Sequence, residues 1–302
     1  MDRREKKRQV KLLNLENKKC SVNLCDYFGR IPNLLEENGL ENFLDDLSVG
    51  EVDRIYIGSY YCSNYFLKQS DTKFKRIINT AKKNNYKITL VIPPLFPKDI
   101  SEVEKKIKTL LEYGVAVIDE VTINDFGMLV VRDLFKGKKI NLGRLLQKDN
   151  RDPRYEDYYN EIHTFRTFSE FYREFYKKNY IHGVEVDCTN KVIDIPNDVP
   201  ELEIGVHVPF CYISLGSICE FASMDKEKRN RFVFADSCKM GCNKAHIECI
   251  INENLKFYRI GRSVLFQNEE CEILGDTTNL RIIYSPIREL FGGTYENTCT
   301  FK

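Results

Sequence analysis

From residue 53 onward, short apolar runs alternate with segments of helical period, and this alternation restricts the fold more than any other feature. Residues 53–61 are rich in Ile and Tyr and read as a strand. Residues 73–85 place Phe74, Ile77, Ile78 and Ala81 at helical spacing. Residues 87–92 are a continuous apolar run stopped by Pro93 and Pro94, as in a strand covered on both faces. Ser101 and Glu104 form an S-x-x-E capping box for a helix that runs to Gly114. A strand is expected at 115–123, with Asn124 and Asp125 capping the turn behind it. Further strands are expected at 140–146, 183–188, 203–209, 257–266 and 281–284. A long aromatic-rich helix is expected at 158–180, and short helices at 32–47 and 287–291. Strands separated by helices pair in parallel. Eight of them favour an α/β, TIM-barrel-like closure over an open doubly wound sheet. The scarcity of helices in the last third leaves the completeness of the barrel open.

The expected organisation is a basic N-terminal tail with a short helix (1–50), a barrel-like domain (51–291) and a C-terminal tail (292–302). Within the barrel domain, residues 207–250 form a cysteine-rich insertion. Lys plus Arg number 46 against 45 for Asp plus Glu, a net charge of +1 that excludes a general polyanion binder. No stretch approaches the roughly 18 apolar residues of a membrane helix. The basic cluster Arg3, Arg4, Lys6, Lys7 and Arg8 is followed by only a short apolar stretch, too short for a signal peptide. It reads as a solvated tail, or alternatively as a weak nucleic-acid contact. The expected location is the cytoplasm, where thiols stay reduced.

Eleven cysteines in such a chain point to a metal or to catalysis rather than to disulfides. Cys211, Cys219, Cys238 and Cys242 carry the strongest signal. Cys238 and Cys242 stand at i and i+4, so one helix turn would aim both sulfurs the same way. Thiolates are soft donors suited to zinc or iron–sulfur centres. Zinc knuckles favour C-x2-C to C-x4-C pairs, and here the spacings are C-x7-C and C-x3-C; iron–sulfur clusters tolerate wider separations. Scattered reduced core cysteines are the third alternative. Cys62 ends the first of the expected barrel strands, where side chains face the site, and is a fifth candidate.

Several segments together resemble the collagenase-like peptidase U-32 family. They are Asn124-Asp125-Phe126-Gly127, Leu142-Gly143-Arg144-Leu145-Leu146, Arg151-Asp152-Pro153-Arg154, the late cysteines ending in C-x3-C, and Gly261-Arg262-Ser263-Val264. The stretch Ile57-Gly58…Cys62-Ser63 resembles the family's oxygen-independent ubiquinone hydroxylation branch. The resemblance spans roughly residues 50–270. It implies a barrel holding a four-iron, four-sulfur (4Fe-4S) cluster. In the common pattern the ligands are Cys211, Cys219, Cys238 and Cys242, and in the ubiquinone branch Cys62 replaces Cys211. Here the first gap is one residue longer than in the family, and Ser217-Ile218-Cys219 stands where a Gly-Arg-Cys triplet is usual. The implied activity is oxygen-independent hydroxylation of an aromatic small molecule or RNA base. Prephenate is the implied oxygen donor, and a second member of the family the implied partner. A peptidase, or a noncatalytic cluster-binding subunit, is the alternative.

Asp125, Arg144 and His207 are the candidate catalytic residues, because they fall near strand ends. Arg144, Arg151 and Arg154 can bind a carboxylate or form a structural Asp–Arg network around residues 149–154. Glu185 and Asp187 share one strand face and form either a polar barrel interior or an acid pair. His163, His182 and His246 read as packing, turn and surface residues.

Overall fold

The computed structural model describes residues 20–291 apart from 48, 156–165, 190–191, 197–200, 225, 232–237, 254, 269–270, 272 and 276–277. Its centre is a closed barrel of eight parallel strands. In chain order these are β1 (Cys20–Asn23), β2 (Val52–Gly58), β3 (Lys87–Ile92), β4 (Ile118–Ile123), β5 (Lys139–Leu142) and β6 (Gly183–Asp187). After the short β7 (Ile193–Ile195) come β8 (Glu203–Val208) and, far downstream, β14 (Leu280–Tyr284), which pairs with both β8 and β1 and closes the barrel.

The outer helices bury one face each. In α3 (Asp71–Lys83), Phe74, Ile77, Ile78 and Ala81 are buried, Ser70 caps the start through Lys73 N–H, and Lys82 and Lys83 sit in the last turn, where cations complement the helix dipole. Helix α4 (Ile100–Tyr113) buries Val103, Ile107 and Leu110 and stops at Gly114. Its N-cap is Asp99, so Ser101 lies inside the helix and the expected capping box is not formed. The Asp99 carboxylate instead accepts from Ser63 Oγ at 2.6 Å. Of the other expected helices, residues 32–47 contract to α1 (Gly39–Asp45), and 158–180 to α5 (Glu170–Lys178); residues 156–165 lie outside the described residues.

Seven of the eight expected strands are barrel strands. The eighth barrel strand is β1, which lies within the expected N-terminal segment 1–50. Residues 257–266 instead form two strands joined at Gly261-Arg262, where Gly261 has φ +59°, a backbone that favours glycine. They belong to an antiparallel sheet inserted between β8 and β14. Its strands are β9 (Phe210–Leu215), β10 (Ile247–Asn252), β11 (Leu255–Ile260) and β12 (Ser263–Gln267), in the order β10-β11-β12-β9. A last strand, β13 (Ile273–Gly275), pairs with β7.

The barrel interior is polar in two layers. Near the strand starts, buried Glu120 accepts from Arg281 Nη1 and Nη2 (2.6 and 2.9 Å), Thr89 Oγ1 (3.0 Å) and Asn141 Nδ2 (3.3 Å). Arg54 lies 3.3 Å away and also binds Asp119 at 2.7 Å. Burial opposes ionisation of Glu120, but the Arg281 hydrogen bonds and the Arg281 and Arg54 charges outweigh it and lower its pKa to about 2. Nearer the strand ends, Glu185 accepts from Thr122 Oγ1 (2.6 Å) and Tyr60 Oη (2.7 Å). His207 Nε2 lies 3.1 Å from the same carboxylate. Burial raises Glu185 to about 7 and holds His207 well below the usual imidazole range.

Candidate metal centre

The segments following β1, β2 and β3 and the inserted segment after β8 enclose a cavity of about 430 Å³. It lies at the C-terminal mouth of the barrel, the end at which barrels of this kind carry their sites. Four cysteines line it: Cys62, Cys219, Cys238 and Cys242. Cys62 stands immediately before α2 (Ser63–Lys68), and Cys219 immediately before the single-turn α6 (Glu220–Ser223). Cys238 and Cys242 do not share a regular helix turn. Met240 between them adopts a left-handed conformation (φ +57°), and Cys242 lies in the 3-10 turn Gly241–Asn243. Their sulfurs reach the same cavity through a loop rather than through helical spacing.

Cys211 is placed elsewhere. It is fully buried on β9, its thiol donates to the Cys188 carbonyl, and it does not line the cavity. Of the five candidate ligands, the structure therefore brings together Cys62, Cys219, Cys238 and Cys242 and leaves Cys211 outside.

Burial raises the Cys62 thiol to about 11, and burial together with the neighbouring cysteines pushes Cys242 higher still; Cys219 moves the same way. Thiols raised in this way ionise readily only against a cationic centre. The donor set fits a cluster better than a single ion. Four sulfurs around one zinc at about 2.3 Å would lie about 3.8 Å apart. Among the described residues, no three of these sulfurs lie within 4.8 Å of one another. The one described trio of His, Cys or acid donors that does is Glu120, His182 and Glu203. There Arg281 bridges Glu120 and Glu203 at 2.6 and 2.5 Å, so that trio is an ion-pair network.

The rest of the wall is largely aromatic and apolar, with Tyr61, Tyr65, Phe96, Pro97, Met240 and Ile260. Tyr61 stacks on Tyr212, centroids 5.9 Å apart. Arg262 lines the wall, donates from Nε to the Gly216 carbonyl (2.7 Å) and lies over the Phe96 ring at 4.9 Å. Among the described residues the one carboxylate on the wall is Asp26, which accepts from Ser59 Oγ and from Tyr60 N–H (2.8 Å). Burial raises its pKa to about 7. Met240 N–H donates to Cys238 Sγ at 3.4 Å.

The expected catalytic candidates are absent from this wall. Asp125 clips its own loop and ties it to the segment after β3, accepting from Gly127 N–H (2.8 Å) and Leu95 N–H (3.1 Å). Arg144 is buried in an ion pair with Asp187 and donates to the Phe210 carbonyl at 2.7 Å. Arg151 approaches the same Asp187 at 3.4 Å, while Arg154 pairs with Asp152. His207 faces Glu185 inside the barrel. His246 pairs with Glu248 and packs edge-on against Phe291, His182 lies 3.8 Å from Glu203, and His163 is outside the described residues. Sequence reasoning missed Asp26 and Arg262 as wall residues. Asp26 follows a strand too short to show a pattern, whereas Arg262 lies in a stretch the resemblance had marked.

A comparison with protein-family models, with curated proteins and with solved structures found no match. The architecture itself is plain: an α/β barrel of eight parallel strands, of the TIM-barrel type. No helix among the described residues is long and apolar enough to cross a membrane.

Proposed function

We propose that this chain is an iron–sulfur protein that supports oxygen-independent hydroxylation of an aromatic small molecule or RNA base. The reading rests on one observation above all: cysteines from separate loops, Cys62, Cys219, Cys238 and Cys242, line one cavity at the barrel mouth. These four residues would hold a 4Fe-4S cluster, and Cys62 rather than Cys211 would be the fourth ligand. Such a cluster, when bound, supplies one-electron transfer. The protein's own residues supply the rest. Tyr61, Tyr65 and Phe96 offer faces against which a planar ring packs. Asp26, beside them, can hold or release a proton near neutral pH. The hydroxylation chemistry, prephenate as donor and a second family member as partner come from the sequence resemblance alone. A reducing cytoplasm suits so many free thiols.

A peptidase has less support. Both His207 and His246 turn Nε2 towards an acid rather than towards a hydroxyl or thiol nucleophile. The deciding experiment grows cells under anaerobic and aerobic conditions with the wild-type or Cys238→Ser protein and follows the hydroxylated product by mass spectrometry. The expected product carries one added oxygen that is not labelled by molecular oxygen, and the substitution abolishes it. Peptide hydrolysis in air by iron-free, folded protein would overturn the proposal.

A further inference from the structure

We propose that Arg30, seconded by Lys68, is a positioning residue whose positive charge raises the reduction potential of the centre held by the four cysteines. The inference rests on the cluster reading above and concerns residues outside the ligand set. Arg30 closes the 3-10 turn Phe28–Arg30 that follows β1. Its Nε and Nη2 both donate to the carbonyl of Cys242, at 3.1 and 2.8 Å, across 212 residues of chain. Its guanidinium carbon lies 3.6 Å from the centroid of the Phe291 ring, which fixes the plane of the fork. Lys68 ends α2, the helix headed by Cys62, and its Nζ donates to the carbonyl of Cys238 at 2.5 Å. Two of the four cysteines are thus gripped through their own peptide carbonyls by cations from two separate elements.

A neutral donor would satisfy those carbonyls as well. A half-buried guanidinium is costly unless negative charge lies nearby, and among the described residues the wall offers Asp26 as its one carboxylate. Thiolates carrying a cluster are net negative, and one added electron makes them more so. A fixed cation therefore favours the reduced form. Arg30 is shielded from solvent on one side by Phe291, so its effect resists salt. Lys68 is exposed, so its effect is smaller and screened.

The test uses the full chain, reconstituted anaerobically with iron and sulfide. The wild type, Arg30→Gln, Arg30→Lys and Lys68→Gln are each titrated with dithionite through mediator dyes. Each centre takes up one electron and no bond is made or broken. Iron per chain is measured first. A wild type without iron would sink the cluster reading itself, and this inference with it. With iron bound, Arg30→Gln should load normally and shift the reduction equilibrium about tenfold towards the oxidised form, a fall of about 59 mV for a one-electron couple. Arg30→Lys, which keeps the charge, should stay within about twofold of wild type. Lys68→Gln should move the potential in the same direction by less, and lose that shift in high salt. Normal loading of Arg30→Gln with an unchanged potential would overturn the inference. If Arg30→Gln fails to load, the comparison of Lys68→Gln with wild type decides: a salt-sensitive fall supports the charge role, and no change refutes it.

Discussion

Replacing Glu120 with glutamine removes a buried anion that faces both Arg54 and Arg281 near the barrel's strand starts. The side chain keeps its shape but loses its charge, leaving Arg281 and Arg54 without their shared buried partner. Two routes give the size of the effect. The fall in the Glu120 pKa from 4.5 to about 2 corresponds to about 3 kcal/mol of preference for the ionised form. Breaking a buried ion pair from one side costs roughly 3–5 kcal/mol. For a chain of this size about 3 kcal/mol lowers Tm by roughly 6–12 °C. Because the folded pKa lies below the ordinary one, this stability is fully present above about pH 4.5 and is lost as pH falls towards 2. Urea unfolding of wild type and Glu120→Gln should therefore show a gap of about 3 kcal/mol at pH 7 that narrows below pH 4.5. Glu203→Gln, which removes a part-exposed partner of Arg281, should cost about 1 kcal/mol or less. A Glu120→Gln protein within about 1 kcal/mol of wild type at pH 7, or a gap that does not narrow in acid, would refute the reasoning.

The carboxyls nearer the mouth behave in the opposite sense. Burial raises Asp26 and Glu185 to about 7 from 3.8 and 4.5, so their contribution is full below about pH 4 and is lost as pH rises to 7; Tm should fall between about pH 4 and 7, and Glu185→Gln should flatten that fall. A wild-type Tm that climbs over this range with no difference in the variant would contradict it. At Gly261, φ is +59° and an added Cβ would lie 3.9 Å from Cys242 Sγ. Gly261→Val should therefore lower stability by roughly 1–3 kcal/mol and weaken iron retention, while Gly261→Asn should keep both near wild type; an iron content insensitive to valine would show that this turn does not shape the centre.

Much of the barrel was legible because parallel strands covered on both faces are continuous apolar runs, as in Lys87–Ile92. Strand β1, Cys-Ser-Val-Asn, is four residues long and carries no such run, although all four residues are buried. Residues 257–266 have strand composition throughout, which hid the turn at Gly261-Arg262 and the antiparallel hairpin it makes. The cysteine spacing drew attention to residues 211–242 but carried no information on which loops meet. Cys211 points into the packing around Cys188, while Cys62, some 150 residues upstream, reaches the cavity because β2 and the inserted segment open at the same end of the barrel. The contact between Arg30 and Cys242 is likewise a product of barrel closure and has no local signal. Arg144, in the turn after β5, looked available for a ligand because its partner, Asp187, lies far along the chain at the end of β6.

The iron and sulfide content of the anaerobically purified and reconstituted chain, measured beside Cys62→Ser and Cys211→Ser, tests the central claim most directly. The arrangement of the cavity predicts about four irons per wild-type chain, with absorbance that bleaches in air, loss of the cluster in Cys62→Ser and its retention in Cys211→Ser. Stoichiometric zinc with no iron, or a Cys62→Ser protein that keeps its full iron content, would contradict it.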